Sequence, residues 1–227
     1  MWHFEQSYLP AMLRTTSYDT ICHEHLEYYA LRQVKWILDR AGLKITDVSF
    51  NAVNGGSFAV TAAPVAARYP ECTERVAAIL AEEDRIGLRT VGTYLAFATR
   101  VMEHKIGLLQ MVRSLNARRM KVLGYGASTK GNVLLQYCGL SAADIPCIAD
   151  VNADKFGRLT PGTWIPIVSE ADARAARPDY LLVLPWHFRE NLIAREQEFL
   201  RLGGKMIFPL PAIDVVAAQR RAGASGD

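Results

Sequence analysis

Val122-Leu123-Gly124-Tyr125-Gly126-Ala127-Ser128-Thr129-Lys130-Gly131-Asn132 passes from an apolar run, through two glycines, into hydroxyl and basic side chains. That succession is what a buried strand, a tight turn and a helix N-terminus demand. The pattern then repeats. Segments 121–124, 146–150, 180–184 and 205–208 read as short buried strands, and 131–138, 170–176 and 189–202 as helices between them. Strand–helix alternation of this kind specifies a parallel sheet with right-handed crossovers, so 117–227 reads as an α/β, Rossmann-like domain. Its small, polar tail, 217–227, is expected to fray.

In such a sheet, ligands bind at the carboxyl ends of the strands, where a helix N-terminus presents backbone N–H groups to an anion. The loop's Tyr125, Ser128, Thr129, Lys130 and Asn132 are therefore candidate substrate-binding residues, joined by Asp150 and His187 at neighbouring strand ends. A dinucleotide fingerprint needs a third glycine or alanine where Thr129 stands, and Gly131 comes two positions late. The Walker pattern is also absent, because Lys130-Gly131 lacks the following Ser or Thr. The diphosphate of some other nucleotide is the favoured occupant, with a nicotinamide cofactor and a purely structural turn as the alternatives. Asp150 either meets a sugar hydroxyl or caps a turn; Trp186 either lines a pocket with His187 or belongs to the core.

Upstream, the periodicity changes twice. Residues 10–14 read as a short helix, and 31–40 as a clearer one ending at Gly42. Alternation at Leu43, Ile45, Val48 and Phe50, then Phe58, Val60 and Ala62, reads as two strands joined around Asn54-Gly55-Gly56 by a turn that needs positive φ. Two long helical patterns fill 70–118, interrupted near 87–92. The expected organisation is 1–68 as one partial domain, 69–116 as a helical connector and 117–227 as the Rossmann-like domain. His104, inside the second helical pattern, reads as a solvated helical histidine.

Cys22-His23-Glu24-His25 packs two imidazoles around a carboxylate. Histidine titrates at roughly 6.5 when unperturbed, and a neighbouring carboxylate fixes its tautomer and raises its basicity. On a helix, His23 and His25 diverge by about 200°, whereas in an extended segment they point the same way and a metal site becomes conceivable. No further ligands follow at metal-like spacing, because Cys72, Cys138 and Cys147 stand singly. Acid–base chemistry is the favoured reading, with no metal expected; a solvated helix N-terminus is the plain alternative.

Composition bounds these readings. The 227 residues are 50 % hydrophobic, enough for one large domain or two small ones. A formal charge of +3 is mild, and the densest basic run, 113–121, needs no nucleic acid to explain it. Four unpatterned cysteines, no signal peptide and no apolar run approaching about 18 residues make a reduced cytoplasm the default, with no membrane partner.

Several motifs in order then resemble one family: Glu5-Gln6-Ser7-Tyr8-Leu9-Pro10, Tyr18-Asp19-Thr20-Ile21-Cys22-His23-Glu24-His25, Asn54-Gly55-Gly56-Ser57, the glycine loop, Pro161-Gly162-Thr163-Trp164-Ile165-Pro166-Ile167 and Leu184-Pro185-Trp186-His187-Phe188. They look like the successive motifs of the S-adenosylmethionine-dependent sugar C-methyltransferases, over about 5–216. The resemblance implies three parts: an N-terminal cysteine-ligated zinc domain, a central methyl-donor domain of class I methyltransferase type, and a C-terminal Rossmann-like domain that helps hold a nucleoside-diphosphate 4-keto sugar.

This chain resembles the later half. Neither a four-cysteine cluster nor a glycine-rich strand–turn–helix precedes His23, so the segment that usually binds S-adenosylmethionine is expected to be absent. A truncation, or a separate chain carrying the donor domain, is the expectation that follows. Residues 1–68 then correspond to the donor domain's last helix and β-hairpin. The resemblance makes His25 the base that forms an enolate for methylation by S-adenosylmethionine, Glu24 its orienting or substrate-binding neighbour, and His23 a supporting group. Cys22 stands where many relatives have tyrosine, leaving Tyr18 or Tyr28 to supply that phenol. The rivals are a non-catalytic nucleotide-sugar-binding module and a small NAD(P)-dependent oxidoreductase.

Overall fold

Trp2–Ser7 forms a strand, β1, that the sequence does not announce, because its six residues never alternate cleanly between apolar and polar. Helix α1 (Leu9–Thr15) follows, then α2 (Leu31–Arg40), β2 (Leu43–Asn51), β3 (Ser57–Pro64), α3 (Thr73–Ile86) and the long α4 (Val91–Ala117). These elements, and those that follow, come from a computed structural model that describes residues 1–218. Of the tail 217–227 expected to fray, Ala217 instead pairs with Lys205 in a strand, and the part beyond 218 lies outside the described residues. The chain divides into two compact units, Met1–Glu103 and the remainder from His104, with the division inside α4.

In the first unit the sheet order is β1-β3-β2, and β3 runs antiparallel to both neighbours. The hairpin read from the sequence is present, joined through a short turn in which Gly55 and Gly56 have φ of 89° and 128°. The addition is β1, registered on β3 from Trp2↔Ala62 to Ser7↔Ser57. Leu31, Val34 and Leu38, on one face of α2, pack with Val48, Phe58, Val60 and Ala62 of the sheet and Val76 of α3. Phe58 and Val60 are fully buried, and each large side chain so removed from water contributes about 1.5–3 kcal/mol.

The second unit continues with β4 (Val122–Tyr125), α5 (Thr129–Cys138), β5 (Ile148–Asp150), β6 (Ile167–Ser169), α6 (Glu170–Ala175), β7 (Tyr180–Val183), α7 (Arg189–Arg195), α8 (Gln197–Arg201), β8 (Lys205–Phe208) and β9 (Asp214–Ala217). The sheet order is β6-β5-β4-β7-β8-β9, parallel except for β9 against β8. Counted within the sheet this is 3-2-1-4-5-6, the Rossmann order, whose switch point lies between β4 and β7. Among the described residues no helix is long and apolar enough to cross a membrane.

Two readings of the sequence need correction. The single helix expected over 189–202 is two, α7 and α8, broken at Glu196, whose buried carboxylate turns inward to Tyr125 and Arg174. His104 is not solvated: its Nε2 lies 2.5 Å from the carbonyl of Pro209, and burial pushes its pKa below the ordinary value.

Candidate functional site

Cys22-His23-Glu24-His25 forms neither helix nor strand but a turn, closed by His25 N–H donating to Cys22 O at 3.0 Å. The turn exposes His23 and Glu24 and half-buries His25. Beyond it the chain is anchored to the junction of β1 and α1, since Leu9 N donates to Tyr29 O at 2.8 Å, and that junction is tied to the β2–β3 turn by Tyr8 N donating to Gly56 O at 3.0 Å. Three segments thereby converge on a cleft of about 530 Å³ lined by Glu5, Gln6, Ser7, Glu24, His25, Leu26, Glu27, Tyr29 and Ser57. That volume falls among small-ligand sites.

His25 and Glu24 line this cleft and His23 does not. An imidazole beside several carboxylates suits proton removal and the binding of hydroxyl groups. The sequence left Glu27, Tyr29 and Ser57 without roles; the signal for Ser57 was its place directly after Gly55-Gly56. Tyr29 donates its phenol proton to Glu27, which raises the phenol's pKa. Of the two tyrosines weighed against Cys22, Tyr18 is only 3 % exposed, whereas Tyr28 is half-buried with Cys22 close enough to raise its phenol further, after burial. Among the described residues no group of three or more His, Cys, Asp or Glu is placed to hold a metal.

In the second unit the glycine loop opens at the switch point. Ser128 caps α5 by accepting from Gly131 N at 3.0 Å, which leaves its hydroxyl proton to donate outward. Thr129, Lys130 and Asn132 are half-exposed in the helix's first turn. The glycines answer to packing. A Cβ on Gly126, which has φ of 82°, meets Pro185 at 2.7 Å, and one on Gly131 meets Leu184 Cβ at 2.7 Å. The loop after β4 is thus pressed against the residues that follow β7.

Two candidate ligand residues turn inward. Tyr125 is 3 % exposed, and its phenol donates to Glu196 Oε1 at 2.6 Å, because at the end of β4 it faces the helix side of the sheet. Asp150 is 6 % exposed. It accepts from Ala127 N and Asn152 N, each at 2.8 Å, and its Oδ2 lies 3.1 Å from Lys155 Nζ. Of the roles weighed for Asp150, the geometry fits the turn cap, holding the glycine loop in shape. Trp186 is core.

His187 is half-buried, and its Nδ1 is sealed without a hydrogen-bond partner among the described residues. Burial first, then the charge of Lys130, lower its pKa to about 4, so the ring is neutral at physiological pH. A larger hollow of about 640 Å³ lies at the amino ends of β7 and β8, lined in part by Arg174, Arg195, Glu196 and Phe199. There Arg174 pairs with Glu196 and Arg195 with Glu170, away from the face where this fold binds ligands.

Sheet order and switch-point loop define an α/β protein of the Rossmann-like class. Residues 52–211 match the model of the C-methyltransferase C-terminal domain, and the chain belongs to that C-methyltransferase family. It is similar to the C-methyltransferase NovU of Streptomyces niveus, at 38 % identity over 219 residues, covering 96 % of this chain and 52 % of that protein. The chain thus spans about half the length of the curated relative it matches.

Proposed function

We propose that this chain is the C-terminal half of a C-methyltransferase acting on a nucleoside-diphosphate 4-keto sugar, with His25 as the general base. The observation that supports it most is the convergence of His25, Glu24, Glu27 and Tyr29 on one cleft. A sugar carbon beside a carbonyl becomes a nucleophile only once its proton is removed. His25 takes that proton, Glu24 orients the ring or a sugar hydroxyl, and neighbouring donors steady the enolate oxygen. In the second unit, Ser128, Thr129, Lys130 and Asn132 receive the diphosphate at the N-terminus of α5, on a loop braced by Asp150.

Family membership implies S-adenosylmethionine as the methyl-donating co-substrate. The first unit holds a three-stranded antiparallel sheet, and among the described residues it offers no glycine loop opening a helix from a parallel strand. The glycine loop of the second unit is packed against Leu184 and Pro185. We assign none of these residues to the donor and place its site in the part of the enzyme that this chain does not span.

Calorimetry with a nucleoside-diphosphate sugar tests the phosphate role. Lys130→Ala removes a charge-assisted contact worth roughly 1.5–3 kcal/mol, a loss of about tenfold or more in affinity. Equal affinities in the two proteins would take the loop out of the site.

A further inference from the structure

We infer that His187 and Phe188 form the nucleobase subsite of this chain, Phe188 by stacking and His187 by donating one hydrogen bond to a base carbonyl. The inference rests on the nucleotide reading above and assigns residues to its base end. Both side chains lie in the short 3-10 turn Trp186–Phe188 that follows β7, at the switch point where the loop after β4 packs on Pro185. The base and the diphosphate therefore belong to two touching loops of one unit.

Phe188 is 53 % exposed although its neighbours Leu184 and Trp186 are buried. Its ring centroid lies 4.3 Å from that of His187, and the His187 ring in turn meets Trp186 edge-on at 5.8 Å. An aromatic face held by packing below and open above is a stacking platform, and every base offers a π-face to it.

His187 adds direction. A buried N–H without a partner costs more than a buried lone pair that lacks one, so the sealed Nδ1 is the bare nitrogen and Nε2 carries the proton. Nε2 is then the nitrogen left to donate. Held neutral by burial and by Lys130, the ring is a fixed donor across the physiological range. Such a donor selects an acceptor, the carbonyl of a base such as uracil or thymine.

Titration of this chain with uridine diphosphate and, separately, with inorganic pyrophosphate tests the assignment. Phe188→Ala should weaken uridine diphosphate by about tenfold or more, the usual worth of one stacked base, and leave pyrophosphate unchanged. Phe188→Tyr should restore the affinity. His187→Ala should weaken the nucleotide by about fivefold, and His187→Gln, which keeps a donor, should recover part of it. If Phe188→Ala binds the nucleotide as wild type does while Lys130→Ala weakens both ligands, the platform is overturned and the anion site stands. If wild type binds neither ligand, the nucleotide reading falls and the platform falls with it.

Discussion

The phenol of Tyr8 donates to Glu83 Oε1 at 3.0 Å, joining the end of β1 to α3 inside the first unit. The same carboxylate accepts from Leu31 N at 2.7 Å and Arg32 N at 3.1 Å, so an acid of α3 closes the N-terminus of α2, where Ala30 has no side-chain acceptor to offer. Glu83 is 1 % exposed, and burial together with its charge drives the Tyr8 phenol well above its usual pKa.

Glu83→Ala should therefore destabilise the protein by about 2–4 kcal/mol, because it strands two helix N–H groups and a phenol. Tyr8→Phe, which removes one bond and leaves the cap, should cost only about 1 kcal/mol. Urea denaturation at neutral pH measures both. Similar losses for the two would deny Glu83 its capping role.

Asp150 braces the glycine loop from within, and Asp150→Ala should cost about 2–3 kcal/mol, since it releases Ala127 N and Asn152 N and leaves Lys155 without its carboxylate. Nucleotide affinity should fall with it through a loosened loop. Hydrogen exchange at the Ala127 amide is the direct readout, with faster exchange expected in the variant.

The glycine loop's spacing has a packing cause that two substitutions separate from helix propensity. Gly131→Ala improves propensity yet brings a methyl to 2.7 Å from Leu184 Cβ, so a loss of about 1–3 kcal/mol is expected. Gly157→Ala meets nothing within 4 Å and adds only the strain of φ at 74°, about 1 kcal/mol. Thermal unfolding ranks them. A neutral or stabilising Gly131→Ala would contradict the close approach of α5 to Leu184.

Much of this architecture was legible because buried parallel strands are short apolar runs: β4, β5, β7 and β8 all stand where the sequence placed them. β1 was hidden, since an edge strand with residues such as Glu5 and Gln6 facing water carries no period-two signal. β6 and β9 are the two edges of the larger sheet, and their partly exposed residues make no continuous buried apolar run. At the site, His25 and Glu24 announced themselves as an unusual cluster. Tyr125 misled, because a phenol beside a glycine loop suggests a ligand whereas its partner Glu196 is 71 residues away. Glu83 left no local sign, for its partners Tyr8, Leu31 and Arg32 are set by the fold.

His187 and His104 give the fold a pH dependence. Both titrate below the ordinary value of roughly 6.5, His187 at about 4, so the unfolded chain takes up their protons first as the pH falls. The contribution of His187, which faces Lys130, is whole above about pH 6.5 and is lost progressively toward pH 4, on the order of 1–2 kcal/mol, and that of His104 runs in the same direction. Urea midpoints at pH 7.5 and pH 5 should differ less in His187→Asn than in wild type. An unchanged difference would remove His187 from the pH response.

Deuterium wash-in at the carbon beside the carbonyl of a nucleoside-diphosphate 4-keto sugar, followed in heavy water without methyl donor, isolates the proton-removal step on which the account depends. Wild type should exchange that proton, and His25→Ala should slow the exchange by about 10² to 10⁴ with little change in sugar-nucleotide affinity. Exchange at the wild-type rate in His25→Ala would contradict the account and move the base to another group of the cleft.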